Sequence, residues 1–254
     1  MARMRIGFLG DGNITGTVRR LIADRPYDVD GAYARADEIP DGLDLLVEAA
    51  SQDAVRDRLL AVVARGTDVL LLSVGALADA GVREAVTAGP GRLTVCTGAV
   101  GGLDQVRALR IEGPLSAVGI ETRKLPTTLI QPWMDDALVA RLRAGDEEIV
   151  LAEGPASEVT RQFPASANVA AALALAADAW DIATARVVAD PSAKLTRHTL
   201  HASGELGSVS VVVENEPTPE RPRSSAVVAR AVVRSLDDIA RLRGFEAPAG
   251  VAFS

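Results

Sequence analysis

The 254-residue sequence predicts an α/β fold in two parts: an N-terminal doubly wound parallel sheet, then an α+β domain on a mostly antiparallel sheet. Three observations carry this reading. Short apolar runs alternate with segments of helical periodicity over about a hundred residues, as in a parallel sheet covered by crossover helices. The runs at 44–49 (DLLVEA) and 68–73 (DVLLLS) have almost no polar alternation inside them, as strands buried on both faces do. Beyond residue 112 the rhythm changes, and two alternating runs meet at Gly204-Glu205 in the pattern of a hairpin.

Taken in order, 4–9 (MRIGFL) is the first strand, and it runs directly into GDGNITG. A helical pattern follows, with Val18, Leu21 and Ile22 on one face. Residues 28–34 form strand two and 44–49 strand three; Asp53 then opens a helix whose Val55, Leu59, Leu60, Val62 and Val63 are apolar. Strand four at 68–73, a helix at 79–88 and strand five at 93–97 complete a first domain expected to span 1–112. The second domain, 113–223, is expected to hold a strand at 116–122, a helix at 131–143, helices at 157–163 and 168–179 separated by Pro164, a strand at 186–189 stopped by Asp190-Pro191, and the hairpin 198–203 with 206–214. Residues 215–223 are rich in proline and charge and read as a loop. The last segment, 224–254, begins with helical periodicity and is expected to return to the first domain.

Composition narrows the function. Asp and Glu outnumber Lys and Arg, and the net charge of −7 disfavours nucleic acid or an anionic membrane as partner. The lone Cys96 excludes an internal disulfide and fits a reducing, cytoplasmic setting; it reads as a buried, inert thiol. Residue 5 leads straight into a strand with no signal-like apolar region, and no apolar run reaches the roughly 18 residues of a membrane span. No cluster has metal-ligand spacing.

The strongest local motif is Gly10-Asp11-Gly12-Asn13-Ile14-Thr15-Gly16 between the first strand and helix. Gly10 allows a tight turn, Gly12 lets backbone approach a pyrophosphate, and the helix start at Asn13 and Ile14 offers unpaired N–H groups and a positive dipole end. This is the Rossmann arrangement and implies NAD or NADP. The third glycine of the usual pattern is replaced by Thr15, with Gly16 one step late. Strand two ends in Tyr33-Ala34-Arg35 without the carboxylate that would bind a ribose 2′-hydroxyl. A 2′-phosphate is therefore not repelled, and Arg35 can pair with it. Ser73 and Gly75 follow strand four, where open α/β sheets bind ligands.

Several segments together resemble the L-aspartate dehydrogenase family. They are 46–79 with its acidic strand end at Glu48 and its Ala-Ser and Ser-Val-Gly-Ala-Leu-Ala-Asp runs, TGAVGGLD at 97–104, TRKLP at 122–126, FPASANVA at 163–170, Asp190-Pro191 followed by His198, and Glu214-Asn215-Glu216-Pro217. The resemblance spans nearly the whole chain. Departures are Thr15 for glycine, Leu125 for proline, Ser166 for the first asparagine of the FPANxN pattern, and Thr196-Arg197 before His198.

The resemblance implies oxidation of an L-amino acid, L-aspartate, to an imine with hydride passing to nicotinamide, a product able to feed NAD synthesis, and a homodimer through the second domain. It assigns nicotinamide contacts to Ala99 and Asn168 and catalysis to His198. A group titrating near neutrality suits loss of the amine proton and later hydration of the imine, so His198 is expected to act as acid/base and orienting group. The other histidine, His201, lies three residues on and so faces the opposite side of a strand. Arg123 and Lys124 are the candidate cations for a dicarboxylic substrate, and as strand neighbours only one is expected to reach it. Asp190 is a strand-end residue that could orient His198. Two other readings stay open: a dehydrogenase for another small amino acid or related compound, and a nucleotide-sensing Rossmann protein without turnover.

Overall fold

The computed structural model describes residues 1–218 and 225–252. Most of the loop read at 215–223 and the start of the segment read from 224 lie outside the described residues. The chain forms two compact units, Met1–Gly98 with Val228–Ser254, and Ala99–Val227.

The first unit contains strands β1 (Met4–Leu9), β2 (Tyr27–Tyr33), β3 (Leu45–Glu48), β4 (Asp68–Leu71) and β5 (Leu93–Val95). All pair in parallel, in the order β2-β1-β3-β4-β5. The doubly wound parallel sheet is as predicted, and its order has the chain stepping outward from β1 in both directions. Helix α1 (Asn13–Leu21) follows β1, the helical run 52–64 (α2) follows β3, and α3 (Ala80–Thr87) follows β4. Ser51 caps α2 by accepting the Ala54 N–H, and Asp79 caps α3 by accepting that of Val82, so both helices start where a short polar side chain can satisfy a free donor. β3 is buried along its whole length, as its unbroken apolar run requires.

The second unit holds α4 (Leu103–Leu109), β6 (Ala117–Lys124), α5 (Asp136–Ala144), β7 (Ile149–Pro155), α6 (Ala156–Gln162), α7 (Asn168–Ala177), β8 (Thr184–Ala189), β9 (Thr196–Gly204) and β10 (Gly207–Asn215). Its sheet runs β10-β9-β6-β8-β7, and only β6 and β8 pair in parallel. The mostly antiparallel sheet and its hairpin are as predicted. The division falls at Gly98 rather than near 112, because α4 packs on α7 and on β9 and β10. Strand β7 was not anticipated. It lies at the sheet edge, half-exposed, and its apolar stretch is brief between acidic residues and Gly154-Pro155. The helix expected from 131 begins only at Asp136, where Asp135 accepts the Leu138 N–H.

The last helix, α8 (Val227–Leu242), supplies Val232, Val233, Leu236, Ile239 and Ala240 to the core of the first sheet, beside Met4, Ile6, Phe8, Val18 and Tyr27. Each fully buried Val or Leu contributes about 1.5–3 kcal/mol. Tyr27 also donates to Asp237 Oδ1 at 2.6 Å, and Arg25 pairs with the same carboxylate. No described helix is long and apolar enough to cross a membrane.

Candidate active site

Site residues fall in both units. In the first, β1 ends at Gly10, whose φ of +100° suits glycine. A Cβ there would stand 2.8 Å from Ala50 Cα and 2.9 Å from Ala49 O, so this glycine is required by the close approach of β1 and the β3 exit. Gly12 is different: a Cβ there would meet nothing within 4 Å. Among the described residues nothing demands its lack of a side chain, and it caps α1 without any side-chain acceptor for the first N–H groups. Asn13 and Ile14, both half-buried, form the first turn. Thr15 is fully buried and donates its hydroxyl to Gly10 O at 2.8 Å, which accounts for threonine where glycine is usual.

Glu48 at the end of β3 is the acidic strand end of the 46–79 resemblance, to which the sequence assigns no role. Its carboxylate is fully buried and accepts the N–H groups of Ala50 (2.9 Å), Leu72 (3.3 Å) and Ser73 (2.7 Å) and the Ser73 hydroxyl (2.8 Å). Burial pushes its carboxyl up from the usual range, opposed by those donors. Glu48 thus ties the exits of β3 and β4 together. Ser73, expected at the cofactor, has its hydroxyl and N–H engaged by Glu48, and Gly75 lies in the buried turn Val74–Ala78 that follows. Arg35 is 53% exposed, pairs with Asp57 and lies 3.9 Å from Asp53. Cys96 is buried, and burial raises its thiol.

In the second unit, register decides which polar residues meet. His198 on β9 stands opposite Thr122 on β6, and alternate residues along both strands share a buried face. His198 (2% exposed), Thr122 and Lys124 (4% exposed) all lie on it. His198 Nδ1 is 3.0 Å from Thr122 Oγ1. Burial and the neighbouring Lys124 ammonium push the imidazole down to about 3. The expectation of a group titrating near neutrality is therefore corrected: in the unliganded protein His198 is neutral at pH 7.

Arg123 goes to the other face, where Glu121 (2.6 Å), Glu148 and Asp190 (3.6 Å) surround it. Of the two candidate cations, only Lys124 shares the His198 face. Asp190 does not serve His198; it accepts the hydroxyl of Ser192 at 2.7 Å and its N–H at 2.8 Å. His201 is exposed and 3.0 Å from Ser210 Oγ.

Ala99 opens the loop before α4. Gly102 in that loop has a φ of +76°, and a Cβ on it would lie 2.6 Å from Val211 Cγ2. Asn215, missed as a site residue, is buried and donates its side-chain N–H to Ala99 O at 2.9 Å, holding the loop to the end of β10. Asn168 begins α7; the N-cap is Ala167, so Asn168 is not the cap. The loop before it is held by buried Phe163, edge-on to Trp133 with ring centroids 5.7 Å apart, and by the Thr160 hydroxyl donating to Ala167 O.

Residues 104–239 match the C-terminal domain model of aspartate dehydrogenase, and 10–89 match the NAD-binding domain of homoserine dehydrogenase. The L-aspartate dehydrogenase of Methanosarcina mazei is 33% identical, covering 93% of this chain and 97% of that one. The chain belongs to the aspartate dehydrogenase family. Another member, from Ralstonia nicotianae, is 35% identical over 76% of this chain and 72% of its own. The crystal structure of aspartate dehydrogenase from Thermotoga maritima, 22% identical, covers 99% of this chain and all of that one with a TM-score of 0.74, and shows the shared fold.

Against that family's pattern, the departure at Ser166 leaves a buried hydroxyl with no hydrogen-bond partner among the described residues beside the start of α7. Leu125, in place of proline, is partly exposed at the turn Pro126–Leu129, where the Thr128 hydroxyl donates to Leu125 O at 2.7 Å. A nicotinamide dinucleotide fits the residues present: a Cβ-free, uncrowded Gly12 at the head of a nine-residue helix is the cradle a pyrophosphate needs.

Proposed function

We propose that this protein oxidises L-aspartate to iminosuccinate with NAD or NADP, the imine then hydrolysing to oxaloacetate and ammonia. The observation that carries the reading is a buried imidazole and ammonium, His198 and Lys124, on one sheet face of a chain whose relatives are named L-aspartate dehydrogenases. Bound NAD(P) supplies a hydride acceptor. Gly10, Gly12, Asn13 and Ile14 would hold its pyrophosphate, with Arg35 toward a 2′-phosphate, Ser73 and Gly75 at the strand exit, and Ala99 and Asn168 toward the nicotinamide.

Lys124 complements a substrate carboxylate. His198, neutral and fixed by Thr122, orients the substrate nitrogen and serves as a proton donor in the later hydration of the imine. A bound carboxylate next to Lys124 also offsets the charge that depresses the imidazole, so substrate raises its basicity. The wider reading is a cytoplasmic homodimer whose product enters NAD synthesis; the exposed outer side of β10 around Val212 supports an assembly surface, and light scattering checks it.

The direct test is reduction of NAD or NADP at alkaline pH across a panel of L-amino acids. Turnover confined to aspartate is expected. Turnover of a different amino acid alone, or cofactor binding with no turnover at all, would replace this reading with one of its competitors.

A further inference from the structure

We infer that Thr122 is a positioning residue that locks His198 in the tautomer protonated on Nε2, so that the imidazole meets its ligand as a hydrogen-bond donor. This rests on reading His198 as a site residue.

The two side chains are register partners, both buried, with Oγ1 and Nδ1 3.0 Å apart. A neutral imidazole carries one N–H. Either Nδ1–H donates to the hydroxyl, or the hydroxyl donates to a bare Nδ1. The two are not equivalent. Among the described residues, Nδ1 is the hydrogen-bond partner that the Thr122 hydroxyl has. If Nδ1 donated, the hydroxyl hydrogen would be buried with nothing to accept it. Lys124, on the same face, has an ammonium that only donates and cannot take it. If the hydroxyl donates, its hydrogen is satisfied and only oxygen lone pairs are left over, which costs much less. One unsatisfied buried donor biases such an equilibrium by about tenfold or more.

With Nδ1 accepting, the ring proton sits on Nε2, the nitrogen directed away from Thr122. Nε2 then has no lone pair for a substrate ammonium. It pairs instead with a carboxylate oxygen or with the lone pair of a free amine. His198 and Lys124 together present two donors to an acidic substrate whose amine has already lost its extra proton.

The chain has two histidines, so a long-range proton–nitrogen spectrum of the ¹⁵N-histidine-labelled full chain holds two imidazoles, and His201→Gln identifies which is His198. Protonated Nε2 and bare Nδ1 are expected for His198 at pH 7. Thr122→Val removes the hydroxyl that donates to Nδ1, so the Nδ1 resonance should move downfield to that of an unbonded lone pair and kcat should fall by about tenfold, with the KM for cofactor unchanged; Thr122→Ser should restore both. A wild-type His198 protonated on Nδ1 overturns the inference, as does an unmoved Nδ1 resonance in a folded Thr122→Val. If that variant does not fold, the wild-type spectrum alone decides. Full turnover in His198→Ala would instead remove the catalytic reading and leave the tautomer result standing.

Discussion

Around Gly10 to Gly16 the first unit clears side chains away. Gly12 has open space beside it, the Thr15 hydroxyl turns inward to Gly10 O, and the groups at the helix start that no side chain caps are backbone N–H. On the buried face of β6 and β9 the second unit does the reverse, packing an imidazole, a hydroxyl and an ammonium into a sheet interior that could have been aliphatic. Backbone donors at a helix start suit a phosphate, which any cofactor of the class carries. Side-chain groups in fixed register suit a particular substrate, and their burial makes them costly to hold unless paired. The comparison therefore separates the two halves of the reaction: mutations in the first unit should change cofactor affinity, and mutations on the β6–β9 face should change turnover.

The largest effect is expected at His198. His198→Ala should lower kcat with aspartate by about 10²–10⁴-fold while cofactor affinity by calorimetry stays within a few-fold. Because His198 is already neutral above about pH 3, an alkaline rise in rate belongs to the substrate ammonium and should persist in the variant's residual activity. Equal losses in turnover and cofactor affinity would break the separation.

Next come the two glycines, which look alike in the motif and differ in the structure. Gly12→Val should weaken cofactor binding by roughly tenfold or more and leave thermal stability near wild type, since its side chain displaces only ligand. Gly10→Ala should destabilise the fold by about 1–3 kcal/mol through left-handed strain, with the contact to Ala50 added. Thermal melts with and without NAD read both outcomes, and a destabilised Gly12→Val would show that the turn is structural after all.

Acid stability tests the second unit alone. Between pH 6.5 and about 3 the unfolded chain protonates His198 and the folded chain does not, so the unfolded state binds more protons and stability falls as pH falls through that window. Relative to His198→Gln, the wild type should lose about 2 kcal/mol on going from pH 7 to pH 5. The raised Glu48 works in the opposite direction but is present in both proteins and cancels. Parallel denaturation curves at the two pH values would mean the imidazole is not held neutral.

The same contrast governs what was legible in the sequence. The parallel sheet shows as apolar runs with period-free burial, and the cofactor turn shows as glycine spacing, because both are local. The opposite facing of His198 and His201 also follows from strand alternation. What stayed hidden depends on pairing. Thr122 meets His198 only through the β6–β9 register, Asn215 meets Ala99 across more than a hundred residues of chain, and Lys124 is separated from Arg123 only once it is known which face of β6 the helices cover. The role of Glu48 was hidden differently: an acid at the end of an apolar run gives no sign that four donors converge on it. Strand β7 lacked the apolar length that marks a central strand.

The smallest expected effect concerns Arg35, and it sharpens the cofactor side of the comparison. This guanidinium is half-exposed and already paired with Asp57, so engaging a 2′-phosphate means leaving a carboxylate, and the net gain is that of an exposed ion pair. Arg35→Ala should therefore raise the KM for NADP by only about threefold, within the usual limit of ~1 kcal/mol, and leave the KM for NAD unchanged. Asp57→Asn should act in the opposite sense. It releases Arg35 and removes a negative charge that a 2′-phosphate would meet, so the KM for NADP should fall while that for NAD stays put. Steady-state kinetics with both cofactors at low and high salt measure this, and salt should shrink the differences because the charges are exposed. Equal changes for the two cofactors in Arg35→Ala would show that Arg35 belongs to the helix α2 ion pairs and not to the cofactor.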